Sequence, residues 1–268
     1  MDDVVQMMIG RTIGERFPQR HLTIGNEVLR VENLSHKSLF HGVNFSVHAG
    51  EVLGVSGLMG AGRTEIMQAI FGNLPVVEGK IFIDGAEVKI HNTRDAIHAG
   101  IGFITEDRKT EGLLLDKSIA QNIELANLDR VSNRGVISNA KRNTLVKQGI
   151  EEFRIRCFNA DQECGSLSGG NQQKVVIAKW VYKQPKILIL DEPTRGVDIG
   201  AKKEICNIIN QLAAQGVAII LVSSELPEVL GMSDRIMVVC EGRVTGIVNA
   251  AEADQAKIMT LATGGNIA

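Results

Sequence analysis

The chain has 268 residues, of which 44% are hydrophobic and 22% charged, and its formal net charge is -2. This composition excludes disordered and fibrous proteins, and so small a net charge argues against a protein that binds nucleic acid by neutralising phosphates. No apolar run approaches the roughly 18–20 residues that a membrane helix needs. The four cysteines show no CxxC spacing, which predicts a cytosolic chain with free thiols.

The first residues differ in pattern from the rest of the chain. Val5, Ile9 and Ile13 recur at helical spacing, and a polar stretch then runs from Phe17-Pro18 to about residue 26. We therefore predict that residues 1–26 are the tail of an upstream unit followed by a linker. The domain itself is expected to occupy residues 27–268.

From residue 27 onwards, short apolar strands alternate with amphipathic helices. Strand-like patterns cover residues 28–47, and hairpins are predicted around Asp84-Gly85 and Glu241-Gly242. Residues 118–156 are polar and helical, with Ser118 as a candidate N-cap and a break at 133–135. Alternation of this kind predicts an α/β fold with a largely parallel sheet that is covered on both faces.

A glycine-rich run links a predicted strand to a predicted helix. The run reads, in order, Gly57, Leu58, Met59, Gly60, Ala61, Gly62, Arg63 and Thr64. Glycines let successive backbone N–H groups cradle phosphate at a helix N-terminus, and the Thr64 hydroxyl would bind Mg²⁺. Arg63 stands where the phosphate-loop motif has lysine, and the two side chains are not interchangeable. Taken alone, the run is also compatible with a simple tight turn.

Two carboxylates, Asp191 and Glu192, follow the apolar strand predicted at 186–190. Asp191 would hold the magnesium ion through water, and Glu192 would polarise the attacking water in phosphoryl transfer. A single acidic residue after a buried strand is common, but an acidic pair followed by Pro193-Thr194 is less so. The pair therefore strengthens the interpretation of the glycine-rich run as a phosphate loop.

A third motif, Leu167–Lys174, begins eighteen residues before Pro185. Its Ser168, Gly169 and Gly170 open a predicted helix, where unhindered backbone N–H groups create a second anion site. A helix with a Ser-Gly-Gly start can also be purely structural. The complete string at this distance before Asp191 is highly specific.

Together these motifs resemble the ATP-binding cassette superfamily over about residues 28–263. Glu106–Lys109 stands where most cassettes have a glutamine loop, Arg195–Asp198 is similar to the loop after the acidic pair, and Val222–Glu225 occupies the place of a switch histidine. The set looks most like the second cassette of monosaccharide-import ATPases. Gly54–Glu65 and Val222–Arg235 are most similar to the ribose-import branch, and the galactose-, arabinose- and other pentose-import branches remain alternatives.

The resemblance implies a P-loop (RecA-like) α/β core, an antiparallel β subdomain and a helical insert at about residues 107–165. It implies ATP and Mg²⁺ as ligands, and an upstream cassette of the same polypeptide as the partner in a sandwich around nucleotide. It also implies an integral-membrane sugar permease, indirectly a periplasmic sugar-binding protein, and a peripheral position on the cytoplasmic face of the bacterial inner membrane. Nucleic acid is not expected as a partner.

The resemblance also assigns the site residues. Glu192 and Ser224 occupy catalytic positions, and Thr64, Asp191 and Glu106 occupy metal-binding positions. Residues 57–64 would bind nucleotide. The nucleotide of the partner cassette would be contacted by Ser168, Gly169, Gly170 and Gln172.

Several positions depart from an active cassette. Arg63 replaces a lysine, Ser224 replaces the histidine that contacts the γ-phosphate, and Glu106 replaces a glutamine. The aromatic residue that stacks on adenine is absent near residues 33–37, where His36 is a weak substitute, while Phe40 is predicted to lie in the core. These departures predict an impaired nucleotide site of the chain's own beside an intact Ser168–Gly170 motif that serves the partner cassette.

Two other functions fit the same motifs. One is a nucleotide-binding regulatory module that does not hydrolyse ATP, and the other is a soluble cassette ATPase without a role in transport. The leucines at 113–115 are compatible either with core packing or with a groove for a permease helix. The basic pairs Arg108-Lys109 and Lys202-Lys203 are predicted to be solvated.

Overall fold

The computed structural model describes residues 17–18 and 24–265, so the helix predicted at 3–13 lies outside the described residues. A six-stranded sheet in the order β12-β11-β3-β10-β9-β6 forms its centre. The strands are β3 (Val52–Gly57), β6 (Ile101–Ile104), β9 (Ile187–Asp191), β10 (Ala218–Val222), β11 (Arg235–Cys240) and β12 (Arg243–Asn249). Five of them are parallel and β12 is antiparallel to β11, which confirms the largely parallel sheet.

A second, antiparallel sheet has the order β2-β1-β4-β5. Its strands are β1 (Glu27–Ser35), β2 (Val43–His48), β4 (Glu78–Ile83) and β5 (Ala86–Val88). Asp84 and Gly85 turn from β4 to β5 with φ of 50° and 78°, and Glu241 and Gly242 join β11 to β12 with φ of 48° and 70°. Both predicted hairpins are therefore confirmed, with the left-handed turn residues that two-residue loops require.

Nine α-helices lie among the described residues. They are α1 (Arg63–Ile70), α2 (Thr93–His98), α3 (Ile119–Leu125), α4 (Leu128–Val131), α5 (Asn139–Glu152), α6 (Gly169–Val181), α7 (Ile199–Ala214), α8 (Leu226–Met232) and α9 (Gln255–Ala262). Residues Arg108–Gly112 form a π-helix, and Cys164–Ser166 and Ala250–Glu252 form 3₁₀ turns. No helix within the described part of the chain is long and apolar enough to cross a membrane.

The stretch at 107–165 contains α3, α4 and α5. Ser118 caps α3 with its hydroxyl on the N–H of Gln121, and the Gln121 side chain returns a bond to the Ser118 N–H. The break at 133–135 is the turn of a small hairpin between β7 (Ser132–Asn133) and β8 (Val136–Ile137). The boundaries of a separate helical insert stay a prediction.

The buried hydrophobic residues of the described chain form two clusters, and the larger one includes the buried aromatic residues. Phe40 is fully buried, as predicted. Phe71 meets Phe103 and Trp180 edge-on, with ring centroids 5.3 and 5.7 Å apart. This arrangement favours the quadrupoles of the rings and places Trp180 in a structural role.

Phe17 packs into the domain although it precedes the predicted boundary at residue 27. Only 5% of its surface is exposed, and its ring occupies the space that a side chain at Gly231 would need. The Lys202 ammonium lies 6.0 Å from the ring centroid, and Asn210 donates a hydrogen bond of 2.8 Å to the Pro18 carbonyl. Phe17 therefore contributes to packing on α7 and α8, whereas a linker residue would be solvated.

Replacing Phe17 by alanine is expected to lower the free energy of unfolding by about 3 kcal/mol, because removal of a buried aromatic ring leaves a cavity. Urea unfolding followed by circular dichroism measures the loss. Ile24→Ala is the matched control, since Ile24 is exposed and its truncation should change the free energy by less than about 0.5 kcal/mol. Equal losses in the two variants would contradict the packing role of Phe17.

Candidate functional site

The register of the parallel strands brings the predicted motifs to one edge of the sheet. Val222 on β10 pairs with Asp191 on one side and Val55 on the other, and Ile104 on β6 pairs with Leu190. The loops after β3, β6, β9 and β10 therefore leave the sheet side by side. Ligand sites of open parallel sheets form at this edge.

The glycine-rich loop after β3 provides a concave run of backbone. Gly60 and Gly62 have φ of 75° and 99°, a region open to glycine without strain. Gly62 is the N-cap of α1, whose first-turn N–H groups have no intrahelical acceptor. The β11–β12 turn supports the loop, because the Gly242 N–H donates 2.8 Å to the Ala61 carbonyl. The loop is thus built to bind an anion such as phosphate.

The Arg63 side chain is engaged inside the protein. Its guanidinium donates a hydrogen bond of 2.9 Å to the backbone carbonyl of Ser223, in the loop that follows β10. A guanidinium has further donors, but this bond directs the side chain across the sheet edge. The arginine therefore joins two loops of the site.

Asp191 is a buried carboxylate without a compensating partner. Its side chain is 1% exposed, and neither carboxylate oxygen has a hydrogen-bond partner. Burial raises the pKa of Asp191 to about 6, against the opposing effects of the Thr64 hydroxyl and the Arg63 charge. Two buried acceptor oxygens beside a threonine hydroxyl fit a hard cation such as Mg²⁺. The described residues contain no cluster of three His, Cys, Asp or Glu side chains that could hold a metal.

Glu192 and Ser224 lie side by side, and their catalytic assignment stays a prediction. The Ser224 hydroxyl donates 3.1 Å to a carboxylate oxygen of Glu192. Burial raises the pKa of Glu192, and the bond from Ser224 opposes that effect. Glu192 also has a φ of 49°, an unusual conformation for a residue that carries a side chain. The geometry fits a carboxylate whose direction is fixed by its neighbours.

Glu228 holds the loops of this pair together, and the sequence analysis missed it. Its carboxylate is 1% exposed and accepts hydrogen bonds of 2.6 Å from the Ser223 hydroxyl and 2.8 Å from the Thr194 hydroxyl. Thr194 follows Glu192, and Ser223 precedes Ser224. The position of Glu228 near the start of α8 gave no signal of this role in the sequence, because its partner Thr194 lies on a distant segment of the chain.

Glu106 lies in the same cleft as Asp191 and Thr64, in a cavity of about 490 Å³. Its carboxylate, however, forms an ion pair with the Arg195 guanidinium. A metal ion at Asp191 would therefore compete with Arg195 for Glu106. The structure gives Glu106 a loop-bridging contact that the sequence did not predict, and its role as a metal ligand stays a prediction.

Ser168 begins α6 and its side chain is exposed. Its hydroxyl accepts a hydrogen bond of 3.0 Å from the Asn171 amide. A side chain at Gly169 would meet the Arg108 guanidinium at 2.7 Å, and one at Gly170 would clash with Ala201. Glycine is therefore needed at Gly170 and fits the close packing at Gly169, while Ser168 is the exposed residue of this helix start.

Gln172 is not part of that exposed surface. It is 4% exposed, and its amide nitrogen donates 3.1 Å to the Cys164 carbonyl. The predicted ligand contact is therefore not supported, because the side chain turns inward to hold the 3₁₀ turn.

Two other expectations require correction. Arg108 is half-buried and bonded to backbone carbonyls, and Lys202 pairs with Glu225 at 2.6 Å, so neither is the solvated residue that was predicted. His36 uses its Nδ1 to accept the N–H groups of Ser38 and Leu39. It therefore caps its own turn in this structure.

Residues 40–195 match the ABC transporter family, and the chain belongs to that family. It is 58% identical over 265 residues to the ribose import ATP-binding protein RbsA of Geobacillus kaustophilus, and that match covers 99% of this chain and 54% of that protein. It is 54% identical over 264 residues to the protein of the same name from Bacillus subtilis, covering 98% and 54% of the two chains. The chain thus spans about half the length of the curated relatives it matches.

Solved structures show the same fold at low identity. A nucleotide-free ATP-binding cassette from an ABC transporter has a TM-score of 0.72 at 23% identity, with 88% of this chain and 98% of that one covered. The cbiO1 protein of Clostridium perfringens, part of the transporter complex cbiONQ, has a TM-score of 0.71 at 23% identity, covering 87% and 93%. These matches confirm the predicted cassette fold with its antiparallel sheet and helical content.

Asp191→Asn is expected to stabilise the chain at pH 7.5 by about 2–3 kcal/mol, because it removes a buried charge that has no partner. The native carboxyl binds its proton more tightly than the unfolded one. Its charge therefore costs stability above pH 6, and the cost disappears as the pH falls towards 4. Urea unfolding between pH 7.5 and 4.5 measures both the gain and its decline.

Asp161→Asn is the control for this prediction, since Asp161 is exposed and its replacement removes no buried charge. The same variants test the cation site. Mg²⁺ with ATP should raise the melting temperature of the wild type and of Asp161→Asn, but not that of Asp191→Asn. A pH-independent effect of Asp191→Asn would contradict the uncompensated charge.

Proposed function

We propose that this chain is the C-terminal cassette of a ribose-import ATPase, with a weakened nucleotide site of its own and a functional Ser168–Gly170 surface. The observation that carries this proposal is the contrast between the two anion sites. At one, Arg63 is bonded to the Ser223 carbonyl, and at the other, Ser168 is exposed at the start of α6 beside the half-buried Gly169. The names of the relatives, at 54% and 58% identity, support ribose as the imported sugar.

In the proposed arrangement, the start of α6 faces a nucleotide bound by the upstream cassette. The Ser168 hydroxyl and the N–H groups of the first turn donate to its phosphate oxygens, and the positive end of the helix favours their charge. Asn171 orients the Ser168 hydroxyl, and the glycines let the start of α6 pack closely against Arg108 and Ala201. This surface thus supplies half of a composite site.

The chain's own site retains the groups for magnesium. It lacks two groups for nucleotide, the switch histidine and the aromatic residue that stacks on adenine. Asp191, through water, and Thr64 would hold Mg²⁺, and Glu192 would orient the attacking water. Ser224 fixes the Glu192 carboxylate but has no ring nitrogen with which to reach a γ-phosphate. We expect this site to bind Mg²⁺ and ATP weakly and to turn over slowly.

The proposed partners are the upstream cassette, an integral-membrane sugar permease and, indirectly, a periplasmic sugar-binding protein. The chain would lie on the cytoplasmic face of the inner membrane, held there by the permease. Leu113 is buried, whereas Leu114 and Leu125 are each nearly half exposed. This partial exposure fits both earlier alternatives, core packing and contact with a permease helix.

The proposal predicts opposite sensitivities at the two anion sites of the two-cassette protein. Ser168→Arg should lower steady-state ATP hydrolysis more than tenfold, because a bulky side chain blocks the approach of phosphate to the helix start. Arg63→Ala should lower it less than threefold. Ser166→Arg is the matched control, since Ser166 is exposed but precedes the helix. If Arg63→Ala is the more damaging variant, the proposed division of roles is wrong.

A non-hydrolysing regulatory module is the second candidate, and the engagement of Arg63 with Ser223 favours it for the isolated chain. The rate of phosphate release by the purified chain, compared with that of Glu192→Gln, separates the two functions. A rate that exceeds that of the variant at least fivefold supports an ATPase. Equal rates, together with calorimetric binding of ATP and Mg²⁺, support a binding module.

A further inference from the structure

Two arginines join the segment that follows β6 to the loop at 195–196. The Arg108 guanidinium donates 2.8 Å to the Arg195 carbonyl and 3.3 Å to the Gly196 carbonyl. In return, the Arg195 side chain pairs with the Glu106 carboxylate. The loop at 106–108 and the loop at 195–196 are thus joined in both directions.

The same guanidinium also fills the space at the start of α6. A Cβ atom at Gly169 would lie 2.7 Å from a terminal nitrogen of Arg108. Burial lowers the pKa of Arg108, and its Nε is buried without a partner. The arginine is therefore held between two carbonyls and a glycine, in contrast to the exposed Lys109 next to it.

The far end of the π-helix is tied to the same helix, α6. Lys179 is 8% exposed, and its ammonium donates 2.6 Å to the Gly112 carbonyl. At the near end, the Asp107 carboxylate accepts the N–H groups of Lys109 and Thr110 at 2.9 and 3.3 Å. Residues 108–112 thus form a short brace, capped at its start and bonded to α6 at its end. Local π-helices of this kind are frequent at functional sites.

We propose that Arg108 is a positioning residue that fixes the start of α6, and with it Ser168 and Gly169, against the loop at 195–196. This inference rests on the proposed function, in which the start of α6 receives the phosphates of a nucleotide bound elsewhere. In this proposal Arg108 does not contact the nucleotide, since one N–H of each terminal nitrogen bonds a carbonyl of the loop at 195–196. It acts through the placement of the backbone N–H groups that follow Ser168.

Arg108→Ala tests the local role in the chain as it stands, with hydrogen–deuterium exchange as the measurement. Among the amides of residues 169–172, the Gln172 N–H, which bonds to the Ser168 carbonyl, should exchange at least about tenfold faster than in the wild type. Lys109→Ala removes one positive charge from the same π-helix without touching these contacts, and it should leave the exchange unchanged. Amides of β3 and β10 report global stability and should not change in either variant.

Arg108→Lys provides the conservative replacement. A single ammonium can bond one of the two carbonyls but cannot fork between them, so exchange at 169–172 should be intermediate. Unchanged exchange in Arg108→Ala would overturn the proposal. Equal acceleration in β3 and β10 would also overturn it, because the arginine would then support only the general stability of the fold.

Turnover of the two-cassette protein tests the consequence for the reaction. Arg108→Ala should lower kcat at least fivefold with less than a threefold change in KM for ATP, and Arg108→Lys should recover part of the loss. Lys147→Ala, which removes a charge from the exposed face of α5, should match the wild type. A normal kcat in Arg108→Ala would overturn the positioning role. If Ser168→Arg is also harmless, the proposed function itself fails, whereas the exchange result on the single chain stands independently.

Discussion

The burial of Asp191 without a partner is the constraint around which this site is organised. A carboxylate at the end of a central strand loses its hydration, and nothing in the described part of the chain replaces it with a direct hydrogen bond or ion pair. The Thr64 hydroxyl and the Arg63 charge offset only part of this cost, because burial still raises the pKa of Asp191 to about 6. A cation bound beside Asp191 would offset the free-energy cost of burying its charge.

The loops around Asp191 are braced against one another by side chains. Glu228 bridges the hydroxyls of Thr194 and Ser223, and Arg63 bonds the same loop after β10 from the opposite side. On the other wall of the cleft, Arg108 joins two further loops to the start of α6. The phosphate-loop site is thereby crossed by the bond from Arg63. At the start of α6, Ser168 stays exposed while Arg108 packs beneath Gly169.

The sequence predicted those parts of the molecule that depend on neighbouring residues. The hairpin at Asp84-Gly85 and the cap at Ser118 follow from local backbone preference, and the acidic pair after β9 follows from its motif. The clamp of Glu228 on Thr194 and the contact of Arg108 with Arg195 join residues far apart in the chain, for which periodicity carries no signal. The basic pairs were assigned to solvent for the same reason, since exposure of a charged side chain depends on its distant partners.

The buried packing of Phe17 determines where a force applied to the chain at this residue enters the domain. The ring lies against Gly231 and the Lys202 ammonium, and Lys202 pairs with Glu225 and lies 3.9 Å from the Glu228 carboxylate. Tension on the polypeptide ahead of Phe17 would therefore load α7 and α8 directly, before it reached the first strand. Glu225 follows Ser224 directly, so a force at Phe17 and the alignment of the loop that carries Ser224 are mechanically linked through Lys202.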